Sequence, residues 1–360
     1  MNFNLQGNLD LFNFSTLSSL ESLNLGNNRL TGPIRSEIRY LRKLKDLNFS
    51  SNQLTGRIPL ELGELRSLEN LDRGSNDLDG QIPISLGHLA HLYFLDLQEN
   101  KLPKPIPSSF ENFTKIEYLY LQNNQLTGPI LPNIGNPRTL IDLRLYDNFL
   151  TGSIPGPLGN YTRLVSLYLH QNQLSGSIPI TLGKLKTFLD LALSVNNLTG
   201  PFPEELNNLT MKLETLSLGS NRLSGHLPTR VRFSGSLLFF SVNNNSFSGP
   251  VPSTIKNCSK LIRLRFEGNQ ITGNVTDALS YNGLTGGLPQ QFGGLKMLET
   301  LNISHNNFTG SIPTTFNDLF SLIMIDISYN QSLRVVFPIC QSFNRHPSKR
   351  LRTTKGYVVT

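Results

Sequence analysis

Apolar residues along this chain fall in one recurring pattern, LxxLxLxxNxLTGxIP, seen in SLESLNLGNNRLTGPI, KIEYLYLQNNQLTGPI, RLVSLYLHQNQLSGSIP and MLETLNISHNNFTGSIP. Its Asn recurs at Asn28, Asn52, Asn76, Asn100, Asn124, Asn148, Asn172 and Asn196, every step being 24 residues. It continues at Asn221, Asn245, Asn269, Asn282, Asn306 and Asn330, with one step of 25 and one of 13. Self-similarity at a fixed period marks a stacked repeat rather than a set of globular domains. Within LxL, apolar and polar residues alternate, which predicts a short strand with one buried face, Leu23 and Leu25, or Leu119 and Leu121, pointing inward. One repeat cannot bury that face alone, so neighbours must stack and their strands join into a parallel sheet.

The Asn stands where strand turns into loop. Its amide is expected to pair with backbone groups of its own and the adjacent repeat, which burial would otherwise leave unpaired, so that the column forms a hydrogen-bonded ladder. The Thr/Ser-Gly pair turns the chain through angles Gly tolerates. The x-Ile-Pro segment is extended, because the residue before Pro is pushed out of the helical region. A stretch such as Leu-Gly-x-Leu then makes a short helical turn on the convex side. The expected fold is an α/β solenoid, a curved right-handed superhelix with a concave parallel sheet. It has about 14 repeats of 24 residues over 1–333, one of them shortened near 273–286, and a basic, disordered tail over 334–360. Register places Asp277 where an inward Leu belongs, and a buried carboxylate is costly, which predicts a kink or local disorder there. Arg73 also occupies an inward Leu column and is expected to snorkel outward.

Charge changes this picture little. The net charge is +7, but the residues from Gln331 onward hold six basic groups and no acid, leaving about +1 for the repeats. The body is therefore not expected to bind nucleic acid. Two cysteines, Cys258 and Cys340, are too few for a disulfide scaffold, and Cys258 is expected to be free and half-buried. The histidines lack metal spacing and no Ser-His-Asp arrangement can be argued, so no metal, cofactor or catalytic residue is expected. The start, MNFNLQGNLDLFNF, has no basic region followed by an apolar run, and the longest apolar stretch is too short to span a bilayer.

The LTGxIP segment resembles the plant-specific leucine-rich repeat over about residues 5 to 330. Within that superfamily, GNLDLFNFSTLSSLESLNL and KNCSKLIRLRFEGNQITGN look like the receptor-kinase group that includes the male-discoverer-interacting kinases. The resemblance implies a repeat ectodomain on the extracellular face of the plasma membrane, acting in cell-surface signalling or immunity. It implies a peptide or protein ligand, a smaller leucine-rich-repeat co-receptor kinase as second partner, and a cytosolic Ser/Thr kinase beyond a single membrane span. The chain departs from the family in holding no signal peptide, cysteine-paired cap, membrane span, Gly-rich nucleotide loop, HRD or DFG. These departures, with the shortened repeat, predict a fragment or an imperfect gene model, against a short intact protein. Two alternatives stay open: a secreted inhibitor of cell-wall-degrading enzymes, of the polygalacturonase-inhibitor type, and an interaction solenoid without a peptide ligand.

Residues flanking the inward Leu pair face the concave surface. Early repeats put Ser22, Asn24 and Gly26 there, whereas the middle ones offer Phe94 and Asp96, Tyr118 and Tyr120, Asp142, Arg144 and Tyr146, and Tyr168 and His170. Exposed aromatics mixed with a few charges are the composition of binding hot spots. Arg263 and Arg265 lie two apart on one strand and so share the concave face, where two guanidinium groups suit a carboxylate. The pair is similar to the one with which some peptide-hormone receptor kinases hold the free C-terminus of their peptide. Glu267, next on that face, offers the competing reading of a plain surface ion pair. Twelve Asn-x-Ser/Thr triplets favour a secretory history, with Asn112, Asn160, Asn197, Asn208, Asn257 and Asn307 the expected glycosylation sites. Asn48 and Asn302 on the concave side and Asn330 in the ladder are expected to stay bare.

Overall fold

A computed structural model describes residues 4–10, 12–208, 212–227, 235–272, 287–330, 332–334 and 350–352. It divides into two compact units, residues 1–175 and 176–360. Both are built from the same coil. In the first, the strands Ser22–Asn24, Asp46–Asn48, Asn70–Asp72, Phe94–Asp96, Tyr118–Tyr120, Asp142–Arg144 and Ser166–Tyr168 pair in parallel, each with the next. Register is constant: Leu95, Leu119, Leu143 and Leu167 stand opposite one another and are fully buried. Each such Leu contributes roughly 1.5–3 kcal/mol. In the second unit Asp190–Ala192, Thr215–Ser217, Phe239–Ser241, Arg263–Arg265, Thr300–Asn302, Met324–Asp326 and Arg350–Arg352 pair the same way.

The rest of each coil follows from its local sequence. Beyond the concave strand, the Leu-Thr-Gly segment forms a second, flanking strand, as in Arg29–Pro33, Gln53–Gly56 and Gln125–Pro129. Gly128 in that segment has φ +74°, which an L side chain rarely adopts. Pro then ends the extended run, and a five-residue 3-10 turn follows, as in Leu60–Glu64 after Pro59 and Ile84–His88 after Pro83. Gly87 belongs there because a Cβ would come within 2.4 Å of Ser109 in the next coil. The helical turns expected on the convex side are thus 3-10 turns. Among the described residues no helix is long and apolar enough to cross a membrane.

The ladder is complete where it is described. Asn124 donates from Nδ2 to the carbonyls of Leu121 and Gln122 in its own coil and Leu97 in the preceding one, while its Oδ1 accepts from Leu102 N. The residue before each ladder Asn is left-handed, for example Ser75 at φ 55° and Asn123 at 53°. The pattern of apolar positions carries no sign of that turn.

Four expectations are corrected. The ladder was expected to run through Asn282, which lies outside the described residues, but it passes from Asn269 directly to Asn306. Asn306 reaches Phe266 O and Ile271 N directly, and Arg263–Arg265 pairs with Thr300–Asn302. Residues 273–286, and with them the kink expected at Asp277, lie outside the described residues. Arg73 does not snorkel. It is fully buried, its guanidinium 4.2 Å from the Phe49 ring centre, and none of its three nitrogens has a hydrogen-bond partner. A neighbour's aromatic face gave it a seat inside the column. Cys258 is free but fully rather than half-buried, and burial pushes its thiol up to about 12. Of the tail, residues 350–352 form a strand beside Met324–Asp326 where disorder was expected, because the open sheet edge there offers unpaired backbone groups. Cys340 and the remainder of the tail lie outside the described residues.

Candidate functional site

Nine of the eleven expected ligand-facing residues lie in the first unit, and the register of its strands brings them together. Phe94, Tyr118 and Tyr120 form one ring cluster, with centroids 5.6 to 6.4 Å apart. Tyr146, Tyr168 and His170 form a second, in which Tyr146 stacks on His170 at 4.4 Å. Arg144 joins them. Its guanidinium sits 4.4 Å from the Tyr120 ring centre and 5.4 Å from that of Tyr168. Asp142 fixes it there through Nη2 at 2.7 Å and Nε at 3.0 Å, and accepts the Tyr120 hydroxyl at 3.1 Å. Burial works against the charge on Arg144, but the bonds to Asp142 outweigh it and hold the group protonated. Tyr120 is held firmly in its phenol form, by burial first and the Asp142 charge second. The rings themselves are half-buried, so their faces stay open on the concave side.

The two carboxylates behave differently from the rings. Asp142 is 7% exposed and Asp96 5%, so neither presents itself freely to a ligand. Asp96 accepts from the backbone N–H and the side-chain amide of Gln98, and Gln122 in turn donates to Gln98. Burial pushes Asp96 up to about 7. The Gln98 N–H opposes that shift, the charges of Asp72 and Glu99 add to it, and Arg144 opposes it. His170 is shifted down by burial and is therefore an uncharged stacking partner for Tyr146 near neutral pH.

Sequence reasoning passed over the earliest repeats. A concavity of about 270 Å³ opens there, lined by Asn24, Asp46, Asn48, Asn70, Asp72 and Phe94 among others. Asn70 donates to Asp46 and Asn48 to Asp72, so these amides and acids form a braced polar floor. The signal lay in plain sight, since they occupy the same columns as the aromatics. A larger concavity, about 600 Å³, lies away from the concave strands between Pro33–Ile34, Arg57–Glu61 and Gln81–Ser85.

Arg263 and Arg265 lie in the second unit, both exposed on the concave strand Arg263–Arg265. They are not equivalent. Arg265 is paired to Glu267 through both Nε and Nη2. Arg263 lies 5.9 Å from the Phe239 ring centre and has no ion pair among the described residues. Of the expected glycosylation sites, Asn112, Asn160 and Asn257 are exposed, while Asn197 and Asn307 are half-buried. Asn208 ends the 3-10 turn Glu204–Asn208, and its side chain lies outside the described residues.

Comparison with known proteins reaches the same coil. The family described as Leucine Rich Repeat matches residues 19–41, 43–65, 91–113, 115–137, 163–185 and 212–233, and a second leucine-rich-repeat family matches 278–332. Comparison with curated proteins finds no match. Among solved structures, the ectodomain of the Arabidopsis receptor kinase HAESA, in complex with an N-terminally extended IDA peptide hormone, is 32% identical with a TM-score of 0.72. That likeness covers 98% of this chain and 64% of the other. The plant peptide hormone receptor RGFR1, in complex with RGF2, is 29% identical with a TM-score of 0.73 over 97% of this chain and 66% of the other. A plant ice-binding protein is 31% identical over 73% of each chain, with a TM-score of 0.56. The chain thus spans between about half and two thirds of the length of the receptor ectodomains it is similar to.

Proposed function

The chain belongs to the leucine-rich-repeat family, and from that premise we propose that it is a ligand-binding ectodomain of the plant receptor kind, taking a peptide on its concave face. The observation that carries this reading is the braced aromatic surface of the first unit, with Arg144 held between Tyr120 and Tyr168 by Asp142. Such a surface needs little reorganisation on binding. Its rings are already packed on one another, and Arg144 keeps N–H donors beyond those used by Asp142. Half-open tyrosines offer stacking area, and their hydroxyls offer hydrogen bonds to an extended peptide backbone. The receptors similar to this chain are described in complex with peptide hormones, which supports the same ligand class here. A smaller co-receptor ectodomain, which one HAESA complex contains as SERK1, is the second partner on this reading. An extracellular position and a kinase elsewhere in the parent protein belong to the same proposal.

In the second unit, the carboxylate role passes chiefly to Arg263, since Arg265 is committed to Glu267. The test is a calorimetric screen of secreted plant peptides against the chain. A peptide that binds should lose about 2–4 kcal/mol of affinity on Tyr120→Ala combined with Tyr168→Ala, the size of a hot-spot loss. Arg263→Ala should weaken only peptides with a free C-terminal carboxylate. A binding peptide indifferent to all three changes would remove the concave-face site.

A further inference from the structure

Four glycosylation triplets recur at one place in the coil. Asn112, Asn160, Asn208 and Asn257 are each the last residue of a five-residue 3-10 turn. They are separated by 48, 48 and 49 residues, so they mark every second repeat. The three repeats between them carry, by spacing, Asn136, followed by Pro137 and Arg138, then Lys184 and then Phe233, and none is an acceptor.

The geometry suits a sugar. Asn112, Asn160 and Asn257 are exposed; the next residues, Phe113, Tyr161 and Cys258, are buried; the hydroxyl residues Thr114, Thr162 and Ser259 are exposed again. A glycan on the Asn amide therefore projects into solvent while its neighbour anchors the backbone. Two other triplets contrast with this. Asn330 is 3% exposed and donates from Nδ2 to the carbonyls of Ile303, Ile327 and Ser328, and Asn48 donates to Asp72. Chain order fixes the side of the coil. Asn112 precedes the concave strand Tyr118–Tyr120, whereas the flanking strand Gln125–Pro129 follows it. The four Asn positions thus lie where concave strands start, and the Thr-Gly flank lies where they finish.

We infer that Asn112, Asn160, Asn208 and Asn257 carry N-linked glycans, and that within each unit these close the starting side of the concave strands to protein partners over the repeats that carry them. Two repeats place neighbouring glycans about 10 Å apart. A specific interface needs about 800 Å² per partner, a patch close to 30 Å across, so none fits between them. Over those repeats, partners are left the concave face and the Thr-Gly side. This rests on the export proposed above.

The test expresses the full chain in plant cells behind an independent leader peptide and sequences the glycopeptides of the total leader-bearing product by mass spectrometry. All four sites should be occupied in most copies and Asn330 bare. A variant with Asn112→Gln, Asn160→Gln, Asn208→Gln and Asn257→Gln should lose four glycans in mass and keep the circular dichroism of the parent. Bare residues at these four positions, or sugars confined to other triplets, would overturn the assignment. A second variant, Lys184→Asn with Lys186→Thr, adds an acceptor in a skipped repeat. It should gain one glycan at unchanged yield, and a collapse in yield would show that this side is not free. Because the leader supplies entry, failure of the export proposal would appear separately, as a chain glycosylated with the leader and bare without it.

Discussion

Arg73 stands where the following coils carry Leu97, Leu121, Leu145 and Leu169, all fully buried. Among the described residues its compensation is the Phe49 ring and the charge of nearby Asp72, and burial still lowers its pKa to about 9. A cation–π contact, roughly 2 kcal/mol when desolvated, does not offset an unpaired buried guanidinium, for which the effective penalty is several kcal/mol. Arg73→Leu should therefore stabilise the first unit by about 2–4 kcal/mol in urea unfolding. Asp96 makes the opposite kind of demand. Its pKa is raised from 3.8 to about 7, so the fold prefers the protonated carboxyl. The stability this contributes is full below pH 3.8 and is lost as pH rises through about 7. Between those limits, unfolding measured against pH should show the first unit weakening by roughly 2–4 kcal/mol toward neutrality. Asp96→Asn should flatten that slope, and an unchanged slope would point to another group.

At the scale of the element, strand and ladder carry different loads. The concave strands are three residues long, and each buries its central side chain between neighbours, as Leu119 is buried between Leu95 and Leu143. Three-residue strands pair weakly by themselves, so the turn that ends each must be fixed from outside. Asn124 does this with one side chain that engages four backbone groups in two coils. Asn124→Ala leaves a buried N–H and buried carbonyls without partners. It should cost about 3 kcal/mol, since each orphaned group costs roughly 1–3. Asn124→Asp should be little better, because a carboxylate accepts from Leu102 but donates nothing to the carbonyls. The aromatic residues use the same strands differently. Their positions on alternate residues of neighbouring coils place Tyr118 against Phe94 and Asp142 in register, which makes a continuous ring surface out of short pieces.

Across the whole chain, the repeat period is kept through the place where spacing departs from it most. Asn269 and Asn306 are adjacent in the ladder although Ile271 and Asn306 are 35 residues apart, where the equivalent pairs elsewhere are 22 or 23 apart. The excess is 13 residues, and removing 273–285 would leave Asn-Gln-Ile-Thr-Gly-Gly-Leu-Pro, an unbroken copy of the repeat. That deletion should preserve the circular dichroism of the chain and leave its melting temperature equal or higher. A loss of folded protein would mean that the 13 residues hold the two neighbouring coils together. Nearest-neighbour stacking explains the tolerance: each coil rests only on the ones beside it, so the ladder needs local register, not a fixed count.

Much was written in the chain itself. The 24-residue period, the inward leucines, the turning glycines and the ladder Asn follow from alternation and from the need to pair buried backbone groups, which are properties of residue order. The same order placed Phe94, Tyr118, Tyr120, Tyr146, Tyr168 and His170 on one face. It did not reveal that Asp96 and Asp142 are covered, that Arg144 is clamped while Arg263 is not, or that Arg73 finds a seat on Phe49. Those outcomes depend on what the next coil presents at a distance of one strand, and a side chain one period away in sequence becomes a contact only when the coils stack. Period and face are therefore sequence properties here, whereas burial, pairing and charge state were decided by tertiary packing.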